Sequence, residues 1–175
     1  MVGQYVNADL IAGRIGAAAN VSGVKQFEAI SAWAVAAADA AGTIYRVFPN
    51  IPSDAIITSL DIMNEAVTGA SGALIGLYKT VENGGAIIGS GNQFNTNFDL
   101  STANAIASGF VNAMPAVSIP NRAVQLYTLV SQVQYPTTTG TGPKDSSYDI
   151  CVTMANKTTV ATGNIVMRLK FVRGV

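Results

Sequence analysis

The sequence predicts a mainly β fold, an antiparallel β-sandwich of jelly-roll type with an extended N-terminal arm and at most one or two short helices. Three observations support this prediction. Short runs in which apolar and polar residues alternate recur from Gly42 to the end of the chain. Gly, Pro, Asn and Ser separate these runs, as turns separate strands. The regular intervening helices that a parallel sheet would need are missing from the pattern.

Residues 1–30 are predicted to form the arm, and residues 31–175 the sandwich domain. The first segment mixes glycine, alanine and asparagine with isolated apolar residues that follow no sustained period. Those apolar side chains would be costly to leave in water together, so the arm is expected to lie along its own domain or along a partner; a frayed terminus is the alternative. The predicted partner contacts are Tyr5, Leu10, Ile11, Ile15, Phe27 and Trp33.

The first strands of the sandwich are predicted where the alternation begins. The run "TIYRVF" places Ile44 and Arg46 on one face of a strand, which is expected to end at "PNIPSD" because proline cannot donate to a ladder. Residues 56–63 and 73–80 alternate on either side of the turn "VTGASG". They therefore predict a hairpin or two neighbouring strands.

Gly76 lies inside the second of these runs, where it predicts a bulge or the close approach of another backbone segment.

The clearest strands are residues 148–154 and 165–171, each with one apolar and one mostly polar face. This pattern predicts antiparallel strands that cover a core on one side. Residues 121–133 favour a short helix, because their apolar residues form one stripe, although their β-branched and aromatic residues also allow a strand. Residues 100–110 allow one or two helical turns.

Charge is scarce in this chain, which is 49% hydrophobic and only 11% charged. Ordinary soluble domains carry roughly 25% charged residues. A surface of hydroxyl, amide and small side chains costs less to desolvate than a charged one, so this composition favours burial against other proteins. Ten basic and ten acidic residues, without any block of like charge, disfavour nucleic acid as a partner.

The sequence contains no histidine, which removes the commonest general base and metal ligand. Zinc sites and Ser-His or Cys-His catalysis are therefore excluded. The single cysteine, Cys151, cannot form an internal disulfide and is expected to be a packed side chain, because no histidine is present to activate it. No catalytic residue, cofactor or metal ligand is predicted, and the chain is not expected to be an enzyme.

Other chemical hypotheses have weak support. Asp61 with Glu65 or Asp99 could form a carboxylate pair, but any chain with ten acidic residues offers such pairs. The loop "NQFNTNFDL" holds too few carboxylates for calcium, and "GTGPKDSS" lacks the spacing of a phosphate loop. A sugar-binding module would need exposed aromatic residues, for which the candidates are Trp33, Tyr45, Tyr78, Tyr127 and Tyr148.

Membrane association is not expected either. The alanine-rich run "AISAWAVAAADAAG" is too short to cross a bilayer and contains Asp39. The first residues lack a basic segment followed by a continuous apolar stretch, so no secretory signal is predicted.

The order of the segments resembles a known family. An arm with "NADLIAGRI" precedes "AAADAAGTIYRVFPNIPSDAIITSLDIMNEAVTGASGALIGLYKT", then come "GGAII", "FDLSTA", "RAVQLY" and the closing "YDICVTMANKTTVATGNIVMRLKFV". Over most of its length the chain is similar to the small capsid cement, or decoration, proteins of tailed bacteriophages. The loop "TTTGTGPKD" departs from that pattern.

The resemblance implies a jelly-roll β-sandwich that assembles as a dimer or trimer. It also implies that the protein binds the outside of the phage head, where it would bridge neighbouring major capsid protein subunits and stabilise the shell. No catalytic residue comes with the resemblance. A tail, fibre or head-spike component and a carbohydrate-binding β-sandwich are the alternatives.

Overall fold

The structure is a computed structural model. It describes residues 4–6, 16–21, 24–103, 109–114, 124–134, 145–158 and 160–173. In chain order the described strands are β1 (Gln4–Val6), β2 (Gly16–Val21), β3 (Val24–Val35), β4 (Ile44–Pro52), β5 (Ala55–Asn64), β6 (Ala73–Lys79), β7 (Asn95–Phe98), β8 (Val111–Asn112), β9 (Ser147–Thr153) and β10 (Gly163–Arg173). A 3-10 turn (Val81–Asn83) follows β6, and an α-helix, α1 (Leu126–Gln134), precedes β9.

These strands form two five-stranded sheets. The first sheet has the order β1-β4-β9-β6-β7, and the second has the order β2-β3-β10-β5-β8. Every pairing between the described strands is antiparallel except that of β1 with β4, which is parallel. The predicted class, a mainly β chain built of two antiparallel sheets, is confirmed. The strands from β3 to β10 are consistent with the predicted jelly roll, whose connectivity stays a prediction.

The core lies between the two sheets, because one face of each strand carries the apolar side chains. β10 has the simplest pattern, with alternate residues fully buried and the residues between them partly exposed. Helix α1 adds a short apolar face to this core, so the favoured interpretation of residues 121–133 as a helix is confirmed for the described part. Representative core residues are Ile57, Leu60, Ile62, Ile75, Leu77, Leu126, Leu129, Ile150, Val152, Ile165, Met167 and Leu169.

β4 runs farther than predicted. It continues through the two prolines to Pro52, with shifts of register against β9 on both sides of Phe48. Asn50 has a φ of 56°, and its N–H donates to Oδ1 of Asp149 (2.9 Å). The strand therefore continues past the two prolines as an irregular, bulged segment. There the Asp149 carboxylate accepts the Asn50 N–H, which the pairing of β4 with β9 does not use.

The prediction that residues 148–154 cover a core on one side only is wrong. The side chains from Tyr148 to Val152 are buried on both faces of β9. β9 is the central strand of its sheet, and a segment of the chain covers the face that looks away from the core. Alternation alone cannot reveal this burial, because a covered polar face and a solvated polar face have the same sequence pattern.

The predicted boundary between arm and domain falls within a strand. β3 spans Val24–Val35 and pairs with β10 over eleven consecutive positions. Residues 24–30 therefore belong to the second sheet. The division of the chain at residue 30, and the role of the preceding residues as an arm in an assembly, stay predictions.

Candidate assembly surface

The outward face of the first sheet is covered by its own chain. We call residues 80–94, which connect β6 to β7, the covering segment. It returns along β6, where Lys79 N–H donates to Ala86 O (2.8 Å) and Ile88 N–H donates to Leu77 O (3.1 Å). It then crosses Gly76, where an added Cβ would lie 2.2 Å from the carbonyl carbon of Gly91. The predicted close approach of a backbone at Gly76 is confirmed.

A buried ion pair lies under the covering segment. Arg46 in β4 pairs with Asp149 in β9, and their side chains are 0% and 2% exposed. The guanidinium also donates to Lys79 O (3.0 Å) and Gly85 O (2.8 Å), so one side chain joins β4, β9, the end of β6 and the covering segment. The ring of Tyr78 lies 5.9 Å from the guanidinium carbon. This network is a structural clamp, because each of its polar groups is directed at another part of the chain.

Burial shifts the pKa of three groups in this layer. It raises the pKa of the Asp149 carboxyl, although the backbone N–H of Asn50 and the guanidinium of Arg46 act in the opposite direction. Burial also raises the pKa of the Tyr78 hydroxyl, which bonds with Thr153 Oγ1 (2.7 Å). It raises the pKa of the Cys151 thiol well above its usual value. Cys151 is therefore a packed thiol, as predicted, since only the thiolate is a strong nucleophile.

The second sheet presents a broad outward face, which we call the open face. It consists of the residues of β3, β10 and β5 that point away from the core, and cross-strand neighbours form rows across it. One row is Ala32–Val166–Met63, and the next contains Ile30 beside Arg168. Ile30 is 54% exposed. The residues of the open face are Gln26, Glu28, Ile30, Ala32, Ala34, Ile56, Ser59, Asp61, Met63, Asn164, Val166, Arg168, Lys170 and Val172.

The charges of the open face are paired within it. Arg168 donates to Asp61 Oδ2 from Nε (3.1 Å) and from Nη2 (2.9 Å), and its guanidinium carbon lies 4.5 Å from the centre of the Phe110 ring. Lys170 Nζ lies 3.6 Å from Glu28 Oε2. Each pair joins neighbouring strands, so each acid compensates a base on the same surface.

A groove of about 300 Å³ lies at one end of the open face, beside the Val166–Met63 row. Its walls are mostly apolar, and the polar side chains nearest to it are already bonded. Glu65 Oε2 accepts from the backbone N–H (2.8 Å) and from Nδ2 (2.9 Å) of Asn164. The lining residues are Met63, Asn64, Glu65, Ala66, Ala103, Asn164 and Val166.

Two of the predicted contact residues have described side chains, and both help to close the sandwich. Phe27 stacks on Phe171, with ring centroids 5.0 Å apart. The rings of Trp33 and Tyr45 lie 6.0 Å apart across the two sheets, and the buried Nε1 of Trp33 has no hydrogen-bond acceptor among the described residues. Tyr5 is placed by its backbone, opposite Tyr45 in the β1–β4 pairing. The predicted contacts Leu10, Ile11 and Ile15 lie outside the described residues.

The open face was not predicted as a contact surface. Its signal is the alternation of "VKQFEAISAWAV", in which Ala29, Ser31 and Val35 are buried while Ile30 points outward. Alanine occurs on both faces of this strand, so the apolar side of the pattern is hard to identify from sequence alone.

The rival chemical hypotheses fit the structure poorly. Three of the tyrosines considered for sugar stacking, Tyr45, Tyr78 and Tyr148, are buried and offer no ring face to a ligand. Asp61 pairs with Arg168, and Glu65 bonds with Asn164. Within the described residues, no three or more Cys, Asp or Glu side chains come close enough together to hold a metal ion. Most of the "GTGPKDSS" loop lies outside the described residues.

Asp99 caps a turn on the surface, and its titration can be predicted. Its Oδ1 accepts from Ser101 Oγ (2.6 Å) and from Ser101 N–H (2.8 Å), and these bonds hold the carboxyl pKa below its usual value. The stabilisation they give is present above the ordinary pKa and is lost as pH falls through the lowered one. We expect Ser101→Ala to raise the Asp99 pKa toward its ordinary value, as measured by an NMR pH titration. The exposed Ser90→Ala is the control, and an unchanged Asp99 pKa in Ser101→Ala would contradict the assignment.

Among the described residues, no helix has the length and apolar character needed to span a membrane. A scan against protein-family models gave no match. A search of curated proteins gave none either.

Two solved structures resemble this fold. A chain from the capsid of Ralstonia phage GP4 has a TM-score of 0.59 and 14% identity, and the match covers 100% of this chain and 99% of that one. A chain from the capsid asymmetric unit of cyanophage Pam1 has a TM-score of 0.50 and 10% identity, with 91% and 93% covered. At these identities the likeness concerns the fold, which this protein therefore shares, over nearly its whole length, with chains found in two phage capsids.

Proposed function

We propose that this chain is a structural virion protein, a capsid cement or decoration protein. It binds the outside of a phage head and bridges neighbouring major capsid protein subunits, which stabilises the shell. The observation that supports this most is the match to a chain of the Ralstonia phage GP4 capsid, which extends over nearly all of both chains. A likeness of that extent favours a related role for the whole protein rather than for a shared module.

The chemistry of the described residues supports a role without catalysis. The acidic residues considered as catalysts are engaged with neighbouring side chains, and the single thiol is buried. The surface has few charges, so its burial against protein carries a small desolvation cost. Such a surface suits a protein that functions by forming broad contacts with other proteins.

The protein is expected to stabilise the shell through the equilibrium between free and assembled subunits. A protein that binds the assembled lattice but not the free subunits shifts the equilibrium toward the lattice. A standard contact buries roughly 800 Å² per partner, and several contacts on a fixed lattice increase the avidity without additional chemistry. Bridging two subunits therefore resists their separation.

The test is binding to phage heads that lack the protein. We expect the purified chain to co-sediment with such heads to saturation at a fixed ratio to the major capsid protein, and to raise the temperature at which the heads release DNA. Electron microscopy with a labelled chain should show density on the head. Labelling confined to tails or fibres, or the absence of binding, would contradict the proposal.

The predicted arm can be tested in the same assay. Deleting residues 1–15 removes Tyr5, Leu10, Ile11 and Ile15 and leaves β2–β10 in place. If these residues contact the shell, the deletion should lower occupancy at least ~10-fold, a loss of about 1.4 kcal/mol. Circular dichroism should first show that the shortened chain is folded. Unchanged occupancy would reject the role of the arm while leaving head binding intact.

A further inference from the structure

We infer that Asn83 is a modification site, at which the backbone nitrogen of Gly84 attacks the side-chain amide and converts it to an acid. The main product, an isoaspartate, would alter the covering segment beside the buried ion pair. The inference concerns the chain itself, so it goes beyond the proposed function and does not depend on it. Three observations support it: the sequence at this turn, the exposure of the turn, and its contact with Arg46.

Asn83 is the only asparagine in the sequence that a glycine follows. The reaction requires the backbone nitrogen of the following residue to reach the asparagine Cγ, and a side chain on that residue hinders the approach. Gly84 has none, and an added Cβ there would meet nothing within 4 Å. Glycine also rotates more freely about φ and ψ than other residues. The Asn83–Gly84 peptide can therefore reach the reactive geometry more easily than the other asparagines.

The reaction needs only water as a co-reactant. Gly84 N loses its proton to hydroxide and bonds to Asn83 Cγ, while the Cγ–Nδ2 bond breaks and ammonia leaves. Water then opens the resulting cyclic imide. Opening at the main-chain carbonyl of Asn83 gives isoaspartate, in which the chain continues through the side-chain carbon, and opening at Cγ gives aspartate. The net change replaces an amide and water by a carboxylate and ammonium, so nothing is oxidised or reduced.

The turn that holds Asn83 is exposed and short. All three residues of the 3-10 turn Val81–Asn83 are exposed. The Gly84 N–H donates to Val81 O (3.1 Å), and this bond must break before the nitrogen can attack. Bonds of 3-10 turns have poorer geometry than those of α-helices. We therefore expect the turn to open locally, while the two sheets stay folded.

The modified residue would lie close to the Arg46 clamp. The carbonyl oxygen of Gly85, two residues after Asn83, accepts from Nη2 of Arg46 (2.8 Å). Isoaspartate adds one carbon atom to the main chain, which would shift this oxygen relative to the guanidinium. The new carboxylate would also adjoin that of Glu82, whose charge already acts on Asp149. The modification would therefore loosen the covering segment at the point where Arg46 holds it.

Peptide mass spectrometry of the full chain, aged at mildly alkaline pH, tests the modification. We expect Asn83 to be converted at least ~10-fold faster than the exposed Asn50 and Asn156, because larger residues follow these two and hinder the intramolecular attack. The rate should increase with pH, since the nitrogen attacks after it loses its proton. Asn83→Gln should react at least ~10-fold more slowly, because its longer side chain closes a larger ring. Conversion of Asn83 no faster than that of Asn50 or Asn156 would overturn the proposal.

Hydrogen exchange of the aged protein tests the effect on the covering segment. The Lys79 N–H donates to Ala86 O (2.8 Å) and so reports whether that segment stays on β6. We expect this N–H to exchange at least ~10-fold faster in the isoaspartate form, separated by ion exchange, than in the unmodified chain. Asn83→Asp is the matched control, because it adds the charge without lengthening the main chain, and it should exchange more slowly than the isoaspartate form. Equal exchange in the isoaspartate form and the unmodified chain would reject the loosening, and equal exchange in the isoaspartate form and Asn83→Asp would reject the role of the main chain.

Discussion

Gly76→Ala is expected to destabilise the protein by about 3 kcal/mol, the upper end of the usual cost of overpacking. The added Cβ would lie 2.2 Å from Gly91 C, 2.3 Å from Gly91 O and 2.5 Å from Asn92 N. All three are backbone atoms, so no rotation of a side chain can relieve the contact. The covering segment would have to move away from β6, and chemical denaturation of the variant should show the loss.

Gly84→Ala separates this clash from an effect of backbone conformation. Gly84 has a φ of 88°, and an added Cβ there would meet nothing within 4 Å. Its replacement should cost about 1 kcal/mol, because only the left-handed conformation is penalised. Gly76 has no such φ, so its expected cost arises from lack of space. A loss in Gly76→Ala no larger than that in Gly84→Ala would show that the two backbones are not in contact.

The elements that could be predicted from sequence are those whose signal is local. Alternation over 165–171 identified a strand with one buried face, and the structure shows this strand as β10. Gly76 predicts a bulge or a close backbone approach, because a glycine inside a strand loses packing unless something requires the space, and the structure shows the close approach. These inferences need only the pattern of neighbouring residues.

The features that could not be predicted depend on long-range contacts. Arg46 and Asp149 are 103 residues apart, and each lies in an alternating run where a charged residue normally points to water. Nothing near either residue indicates that residues 80–94 will cover them. The open face was missed for a related reason, since the register that places Ile30 beside Arg168 is set by pairing between distant strands.

Replacing either member of the buried pair is expected to cost about 3–5 kcal/mol, because the other charge would be left buried without its partner. Arg46→Met leaves the Asp149 carboxylate with the Asn50 N–H, and Asp149→Asn leaves the guanidinium with two carbonyl oxygens. The double variant should lose less than the sum of the two, with a coupling of about 1–3 kcal/mol, since neither charge remains. Urea denaturation of all four proteins measures this cycle.

The exposed Arg173–Asp54 pair is the matched control. It joins the end of β10 to the turn between β4 and β5, with Arg173 Nη2 2.9 Å from Asp54 Oδ2, but its side chains are 44% and 35% exposed. The cycle Arg173→Met with Asp54→Asn should therefore give a coupling of at most about 1 kcal/mol. Equal couplings for the two pairs would mean that the covering segment does not exclude water from Arg46 and Asp149.

The cost of Arg46→Met should also depend on pH. Burial raises the Asp149 pKa, and Arg46 opposes that rise, so removing Arg46 should raise the native pKa further. Between the ordinary pKa and the raised one, the native state binds more protons than the unfolded state, and stability falls as pH increases. Arg46→Met should therefore be least destabilising near pH 4, where Asp149 can be neutral, and most destabilising at neutral pH. A cost independent of pH would show that Asp149 does not carry the buried charge, and that the other contacts of Arg46 hold the clamp together.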